Sequence, residues 1–412
     1  MERLFDATLL ARQSCEAEFQ PCSLSLMPSS DEWGVAGLFA GVGGIELGLQ
    51  RAGMHSELLC EYWDPAVTVL EHRFEGVPLV RDVRQLQELP PVRLVAAGFP
   101  CTDLSQAGFT RGIRGEASGL VAEVFRLLER RRVPWVLLEN VRNMLVLDGG
   151  AAMNFLVSKL EALGYQWAYR LVDSRFTGVP QRRQRVILVA TREGDPRGVL
   201  FADDAGEPEL GFFDSDVFGF YWTEGLRGLG WAQDAVPTLK GGSTIGIPSP
   251  PAVWHRLGEA GRRIVTPNIT EAERLQGFDA NWTAPAESVS NRKGTRWKLV
   301  GNAVTVGVAE WVGSRLHSPG SWESEVRQLE VGAPWPKAAC GVNGKRWSVD
   351  VSMWPVRGSY THLSDVVDLE AAAPLSERAA AGFFDRATRG SLRFEEGFLD
   401  DVADHITTIA AA

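Results

Sequence analysis

The residues of this chain that could do chemistry together each stand at, or just past, the end of an apolar run. Cys101 closes the stretch Leu94-Val95-Ala96-Ala97-Gly98-Phe99-Pro100-Cys101. Pro100 lacks a backbone N–H and has a fixed φ, so it ends the ladder and sets where the next side chain points. A thiol beyond the carboxyl end of a buried strand stands where open α/β sheets bind ligands. Cys101 is therefore a candidate nucleophile, against the plainer reading of a solitary cysteine as a small buried hydrophobe. Glu139 follows Trp135-Val136-Leu137-Leu138. A carboxylate there either meets solvent at the sheet edge or is held in a cleft that raises its pKa. Arg183 and Arg185 belong to Gln181-Arg182-Arg183-Gln184-Arg185, which feeds the apolar run Val186 to Ala190.

The elements that must position these groups alternate. Val35 to Ala40 reads as a buried strand, Gly41-Val42-Gly43-Gly44 as a turn, and Ile45 to Ala52 as a helix that Gly53 can close. A glycine turn at a helix N-terminus lets the backbone approach a ligand. Glu46 replaces the third glycine of the dinucleotide fingerprint, which suits a nucleoside ligand without pyrophosphate. The strand Glu57 to Cys60 ends in Glu61-Tyr62-Trp63-Asp64, about twenty residues on, where an acid meets ribose hydroxyls. Glu61 is the candidate ribose acceptor, and a neighbouring aromatic can flank an adenine ring. Asp64 as N-cap and Pro65 at the first position would start a helix through Phe74. Asp82 ends a third strand, Val77 to Val80, and could accept from an adenine amino group. The basic, glycine-rich run Gly108 to Ser118, with Arg111 and Arg114, reads as a lid or a solvated connector. Leu120 to Arg131 is an amphipathic helix. The spacing predicts another helix ending at Leu163 and a strand from Gln166 to Asp173. It also predicts a short helix with Thr270 at its N-cap, one last core helix from Trp297 to Leu316, and a helical stretch from Leu375 to Arg386.

Strands alternating with helices over 35–191 predict a parallel-dominated, doubly wound α/β sheet. Residues 192–266 change texture to Gly, Pro, Trp and Phe and read as a small loop-rich second domain. The expected divisions are a leader over 1–33, a core over 34–191, that second domain over 192–266, a return to the core over 267–316, and a C-terminal extension over 317–412 that packs as an appendage. Five scattered cysteines argue against a disulfide framework or a zinc site, and no metal is expected. The net charge of −10 means that any nucleic-acid role must come from a local basic face. No apolar run long enough to span a membrane and no signal pattern is present, so a cytoplasmic protein is expected.

Taken together, Gly37-Leu38-Phe39-Ala40-Gly41-Val42-Gly43-Gly44, Gly98-Phe99-Pro100-Cys101, Glu139-Asn140-Val141, Gln181 to Arg185, Arg274-Leu275-Gln276-Gly277-Phe278 and Gly301-Asn302-Ala303-Val304 resemble the cytosine-C5 DNA methyltransferase family, in its order and over roughly residues 35–316. The resemblance implies a Rossmann-like sheet that uses S-adenosyl-L-methionine, with 192–266 as the target-recognition domain. It implies cofactor contacts from Leu38, Phe39, Ala40, Gly41, Gly43, Gly44, Glu61, Tyr62, Asp82, Pro100, Leu120, Asn302 and Val304. Cys101 becomes the nucleophile, Glu139 the group facing the cytosine N3 edge, and Arg183 and Arg185 the cationic partners of the base pocket. Double-stranded DNA is the implied partner, contacted by Arg111, Arg114, Gln181, Trp222 and Lys240, with Trp231 beside Trp222 and Lys240 among the residues that would read base edges. A monomer is expected, serving a restriction-modification or phage-defence system together with that system's other components. The chain departs from the family pattern at Gly37, where Asp is usual, at Thr102, where Gln is usual, and in Glu61-Tyr62-Trp63-Asp64, whose extra residue leaves Glu61 or Tyr62 on the ribose side.

The chemistry accounts for these residue types. A thiolate added at C6 of cytosine breaks the ring's aromaticity and makes C5 able to accept a methyl group. Only about 3% of an ordinary thiol is ionised at neutral pH, so neighbouring cations would raise the reactive fraction. A protonated Glu139 would stabilise charge accumulating toward N3 and O2. The target base must leave the duplex first. A transfer RNA cytosine-C5 methyltransferase and a non-catalytic DNA-binding relative are the competing readings.

Overall fold

Short β-rich runs punctuated by glycine form a large central sheet, because each run is apolar on both sides and must be covered on both faces. The structure, a computed structural model, describes residues 33–99, 118–209, 211–224, 228–241, 248–330 and 332–411. Pro100, Cys101, Arg111 and Arg114 lie outside the described residues.

Five parallel strands build one half of the sheet: β1 (Gly34–Leu38), β2 (His55–Cys60), β3 (Leu79–Val80), β4 (Leu94–Gly98) and β5 (Trp135–Val141), ordered β5-β4-β1-β2-β3. The chain runs outward from β1 to β3 and then returns to place β4 against the other side of β1. The order thus reverses between β1 and β4, and the crevice outside their carboxyl ends is where such sheets bind ligands. Helices Ser118–Arg130 and Ala151–Ala162 cover one face, and Gly44–Arg51 and Val306–His317 the other. The second pair packs closely: a Cβ on Gly48 would lie 2.4 Å from the Val306 carbonyl oxygen.

Beyond β5 the sheet changes sense. After β6 (Gln166–Asp173) and the short β7 (Gln181–Arg182), β8 (Gln184–Thr191) inserts antiparallel between β5 and β6. The beginning of β8 therefore stands beside the end of β5. A second sheet follows, from β9 (Val217–Phe220), β10 (Ala232–Gln233), β12 (Ala252–His255) and β13 (Ile264–Thr266), while β11 (Val236–Pro237) pairs with β7.

The tail is no appendage, contrary to expectation. Its strands β14 (Val326–Gln328), β15 (Ala338–Val342) and β16 (Lys345–Val349) extend the central sheet through β15 on β6, and β17 (Ala373–Pro374) adds to β13. Helices Glu377–Arg389 and Phe398–Ala411 then supply Phe383 and Phe398 to the core of the small lobe. Phe398 stands 5.0 Å from Phe220 and 5.2 Å from Trp254, ring centre to ring centre, and the Trp254 indole N–H donates to Asp401 at 2.9 Å.

Three local expectations change as well. The last core helix is two, Gly294–Asn302 and Val306–His317, separated by extended backbone at Ala303 and Thr305. The helix Ile269–Leu275 is capped by Asn268 in a capping box with Glu271, so Thr270 is already inside it. Asp64 likewise lies inside its helix, which Trp63 precedes without a side-chain cap.

Candidate active site

The glycine turn takes its shape from neighbours as much as from any ligand. A Cβ on Gly43 would lie 2.3 Å from the Phe74 ring, and one on Gly44 would lie 2.4 Å from the Val304 carbonyl oxygen, so both glycines are required by packing. Gly41 differs: its φ is +57° and, among the described residues, nothing lies within 4 Å of its Cβ direction, which leaves this side of the turn open to them. Phe39 holds a left-handed φ of 55°, a strained conformation for a residue with a side chain and one found at ligand-binding turns. Nothing in its sequence signals that strain.

Glu61 ties the turn to the end of β2. One carboxylate oxygen accepts from the Gly41 N–H at 2.8 Å, and the other from the N–H groups of Tyr62 and Trp63 at 3.0 and 2.9 Å. Burial pushes this carboxyl above the usual range, opposed by those three donors. Tyr62 is 74% exposed, so of the two candidates on the ribose side Glu61 is built into the crevice and Tyr62 borders it. Asp82 is held below the usual carboxylate range by hydrogen bonds from the Arg84 side chain and backbone. Leu38 is buried and Ala40 donates its N–H to the Cys60 carbonyl at 3.1 Å. Leu120 is half-buried against the same core as Phe39. Val304 is buried across the crevice, with the exposed Asn302 two residues before it.

The strand-end acid and base meet through the antiparallel β5–β8 pair. Arg185 is registered against Val141, diagonal to Glu139 on the same face. The Arg185 Nε lies 2.8 Å from a Glu139 carboxylate oxygen, with side chains only 9% and 10% exposed. The parallel β4–β5 register sets Gly98 opposite Glu139, and a Cβ on Gly98 would come within 3.5 Å of the Glu139 carboxylate. Asn140, which sequence reasoning missed, is buried and donates to the Phe99 carbonyl at 3.2 Å, while its own oxygen accepts from the Val141 N–H. It thereby fixes the last described residue before Pro100 and Cys101. The only signal for it was its place between two motif residues.

Two residues of the Gln181-to-Arg185 run serve differently from expectation. Arg183 is fully buried and donates to the carbonyls of Leu239, Gly301 and Ala303 at 3.2, 3.2 and 2.7 Å. Burial lowers its proton affinity; its two terminal nitrogens donate to backbone rather than to a base pocket, while its Nε is buried without a partner among the described residues. Gln181 is also fully buried, donating to Leu275 and Gln276 and accepting from the Leu239 N–H. It has no face for DNA. These two side chains pin segment 239–241 of the small lobe to the core. Trp222 is half-buried with its indole N–H on the Pro250 carbonyl, and Trp231 stacks on Phe218 at 5.1 Å inside the lobe's aromatic core, so both are engaged in packing. Lys240 is exposed, sits 3.8 Å over the Tyr221 ring and pairs with Glu224.

Among the described residues, no cluster of three or more His, Cys, Asp or Glu could hold a metal ion, and no helix is long and apolar enough to cross a membrane.

Residues 34–206 match the family described as C-5 cytosine-specific DNA methylase. The chain is 45% identical over 380 residues to the type II methyltransferase M2.BsuMI of Bacillus subtilis (strain 168), covering 89% of this chain and 97% of that protein. It is 32% identical over 306 residues to the type II methyltransferase M.BsuFI of Bacillus subtilis, covering 65% and 68%. In fold it is similar to the S. pombe Dnmt2 methyltransferase, with a TM-score of 0.52 at 16% identity, over 69% of this chain and 98% of that one. The chain belongs to the C-5 cytosine-specific DNA methylase family and is a DNA cytosine-5-methyltransferase.

Proposed function

We propose that the enzyme methylates C5 of a cytosine flipped out of duplex DNA, through a covalent bond from Cys101 to C6, as the modification activity of a restriction-modification system. The observation that carries this reading is the buried Glu139–Arg185 pair beside Gly98, on strands whose register brings it to the mouth from which Cys101 follows.

Cys101 as thiolate adds to C6, forming the S–C bond and sending an electron pair into the ring toward N3. Glu139, oriented by Arg185, faces that N3 edge. Asn140 holds the strand end, so the thiol's approach is set by backbone rather than by a free side chain. The ring then carries its added electron density at C5, which would form the new C–C bond as the methyl donor's carbon–sulfur bond breaks and that electron pair returns to its sulfur. Transfer of the C5 proton to a water or side-chain base then expels the thiolate and restores aromaticity.

The crevice between β1 and β4 suits S-adenosyl-L-methionine. It offers a glycine at the turn open to the described residues, helix N-terminal N–H groups, an acid tied to that turn and a second buried acid with an oxygen unpartnered among the described residues. Gly41, Glu61, Asp82, Asn302 and Val304 would hold it. When bound it supplies a methyl group on a positively charged sulfur. Target choice then falls to a recognition lobe built from residues 217–266 with the tail helices. Of the expected DNA contacts within the lobe, Lys240 is exposed, although it rests over Tyr221 and pairs with Glu224.

Labelled methyl incorporation into duplex DNA and into transfer RNA tests the reading. Incorporation into the duplex and a covalent adduct with 5-fluorocytosine-containing duplex are expected. Incorporation into transfer RNA alone, or no adduct, overturns it.

A further inference from the structure

Glu46 stands in the first turn of helix Gly44–Arg51 and is 2% exposed. Its carboxyl fills the space a side chain on Gly37 would occupy: a Cβ built on Gly37 would lie 2.2 Å from Glu46 Oε1. Strand β1 and this helix therefore share one carboxyl position, reached from the helix. Its Oε2 is buried and has no hydrogen-bond partner among the described residues. Burial pushes the group up to about 8, and the charged neighbour that acts on it, Glu61, is another acid.

A buried acid without a cation costs stability, and packing alone would favour a leucine or methionine here. The helix does not use Glu46 to pack, since Ile45 and Leu49 face the core and Gly44 and Gly48 allow the close approach to Val306–His317. The adjacent Ile45 reaches toward Gly98, which places this turn under the crevice between β1 and β4. Among the described residues, what is missing is a cationic donor. The proposed cofactor carries a sulfonium, which has no N–H or O–H to give, and an ammonium, which has three.

We propose that Glu46 is a binding residue for the ammonium of the cofactor's amino-acid arm, standing in for the Asp that the family pattern carries at the position of Gly37. This rests on the cofactor reading above. It also accounts for the departure at Gly37: the glycine is required because the acid comes from the neighbouring helix, and both cannot fit.

The test is calorimetric binding of S-adenosylhomocysteine and of its analogue lacking the α-amino group, both of which lack the sulfonium charge. In the native enzyme, removing the amine should weaken binding about ten- to hundredfold, the range for a charge-assisted hydrogen bond. Glu46→Gln should weaken S-adenosylhomocysteine by about tenfold and leave the amine-free analogue within about twofold. Returning the acid to the strand, as Gly37→Asp with Glu46→Ala, should restore discrimination between the two ligands. The proposal is overturned if Glu46→Gln weakens both ligands equally or neither. It is also overturned if the native enzyme binds both alike, a result that needs no variant to fold. Failure of the native enzyme to bind either ligand would instead remove the cofactor reading itself.

Discussion

The strand-end site and the small lobe are made in opposite ways. At the site, each side chain occupies a fixed offset from a strand of the central sheet, and pairing register alone brings Gly98, Glu139 and Arg185 together. In the lobe, strands of two to four residues come from distant parts of the chain, and the core closes only when the tail delivers Phe383 and Phe398. Function placed on backbone register survives sequence change around it. Function placed on a surface assembled from separate segments is free to vary, which suits the target choice proposed for the lobe.

The largest expected effects test the strand-end side. Cys101→Ala should abolish methyl incorporation while binding of S-adenosylhomocysteine persists, and full activity would remove the thiol from the mechanism. Glu139→Gln should slow turnover by a hundredfold or more, since charge at the reacting ring is where such groups act most strongly. A change under about threefold would reject its role.

Trp254→Ala tests the lobe. It empties a site shared by Phe218, Trp231 and Phe398 and removes the donor to Asp401. A loss of about 3–5 kcal/mol in lobe stability is expected, read as a new early unfolding transition and proteolytic cleavage within 217–266. Cofactor affinity should stay within about threefold, because that ring packs in a core cluster separate from those around the crevice. Loss of both together would mean that the two regions fold as one unit.

Asn140→Ala tests whether backbone register suffices at the site. Without the donor to Phe99, the approach of Cys101 is less well set. A buried acceptor left unpaired costs about 1–3 kcal/mol, so kcat should fall about tenfold or more with cofactor affinity unchanged. An equal loss in cofactor affinity would show that Asn140 shapes the crevice rather than the thiol.

How far the sequence could be read follows the same division. The alternation of apolar runs and helices between Val35 and Ala190, the glycine turn and the acids Glu61 and Glu139 are local patterns, and local patterns survive in a sequence. The antiparallel entry of β8 was hidden, because Val186 to Ala190 is equally apolar in either direction. Gln181 and Arg183 misled for a different reason. Polar side chains in a loop-like run read as surface, yet their partners are backbone carbonyls and an N–H at 239, 275, 301 and 303, which no spacing encodes. Trp222 and Trp231 were singled out by composition, and composition does not separate a base-reading ring from a packed one. The tail was opaque because β15 joins the central sheet through β6, and β17 the second sheet through β13, each more than a hundred residues away in the chain.

The smallest expected effect is at the seam between tail and lobe. Asp234 is fully buried, accepts from the Leu363 N–H at 3.0 Å, and lies 2.7 Å from His362 Nδ1. That hydrogen bond, with help from Asp365, raises the His362 pKa above its ordinary value, although the side chain is 56% exposed. Between the ordinary and the raised value the folded chain binds more protons than the unfolded one. The contribution is therefore complete below about pH 6.5 and fades as pH rises through the folded value. His362→Gln should lower the thermal midpoint at about pH 5.5 by a degree or two, and by less at about pH 8.5. A deficit that holds steady or grows with pH would assign the seam to Tyr360, whose hydroxyl donates to the Asp234 carbonyl at 2.6 Å, and to Leu363. The tail would then be fastened by uncharged contacts, and the lobe would resemble the strand-end site more than its assembly from distant segments suggests.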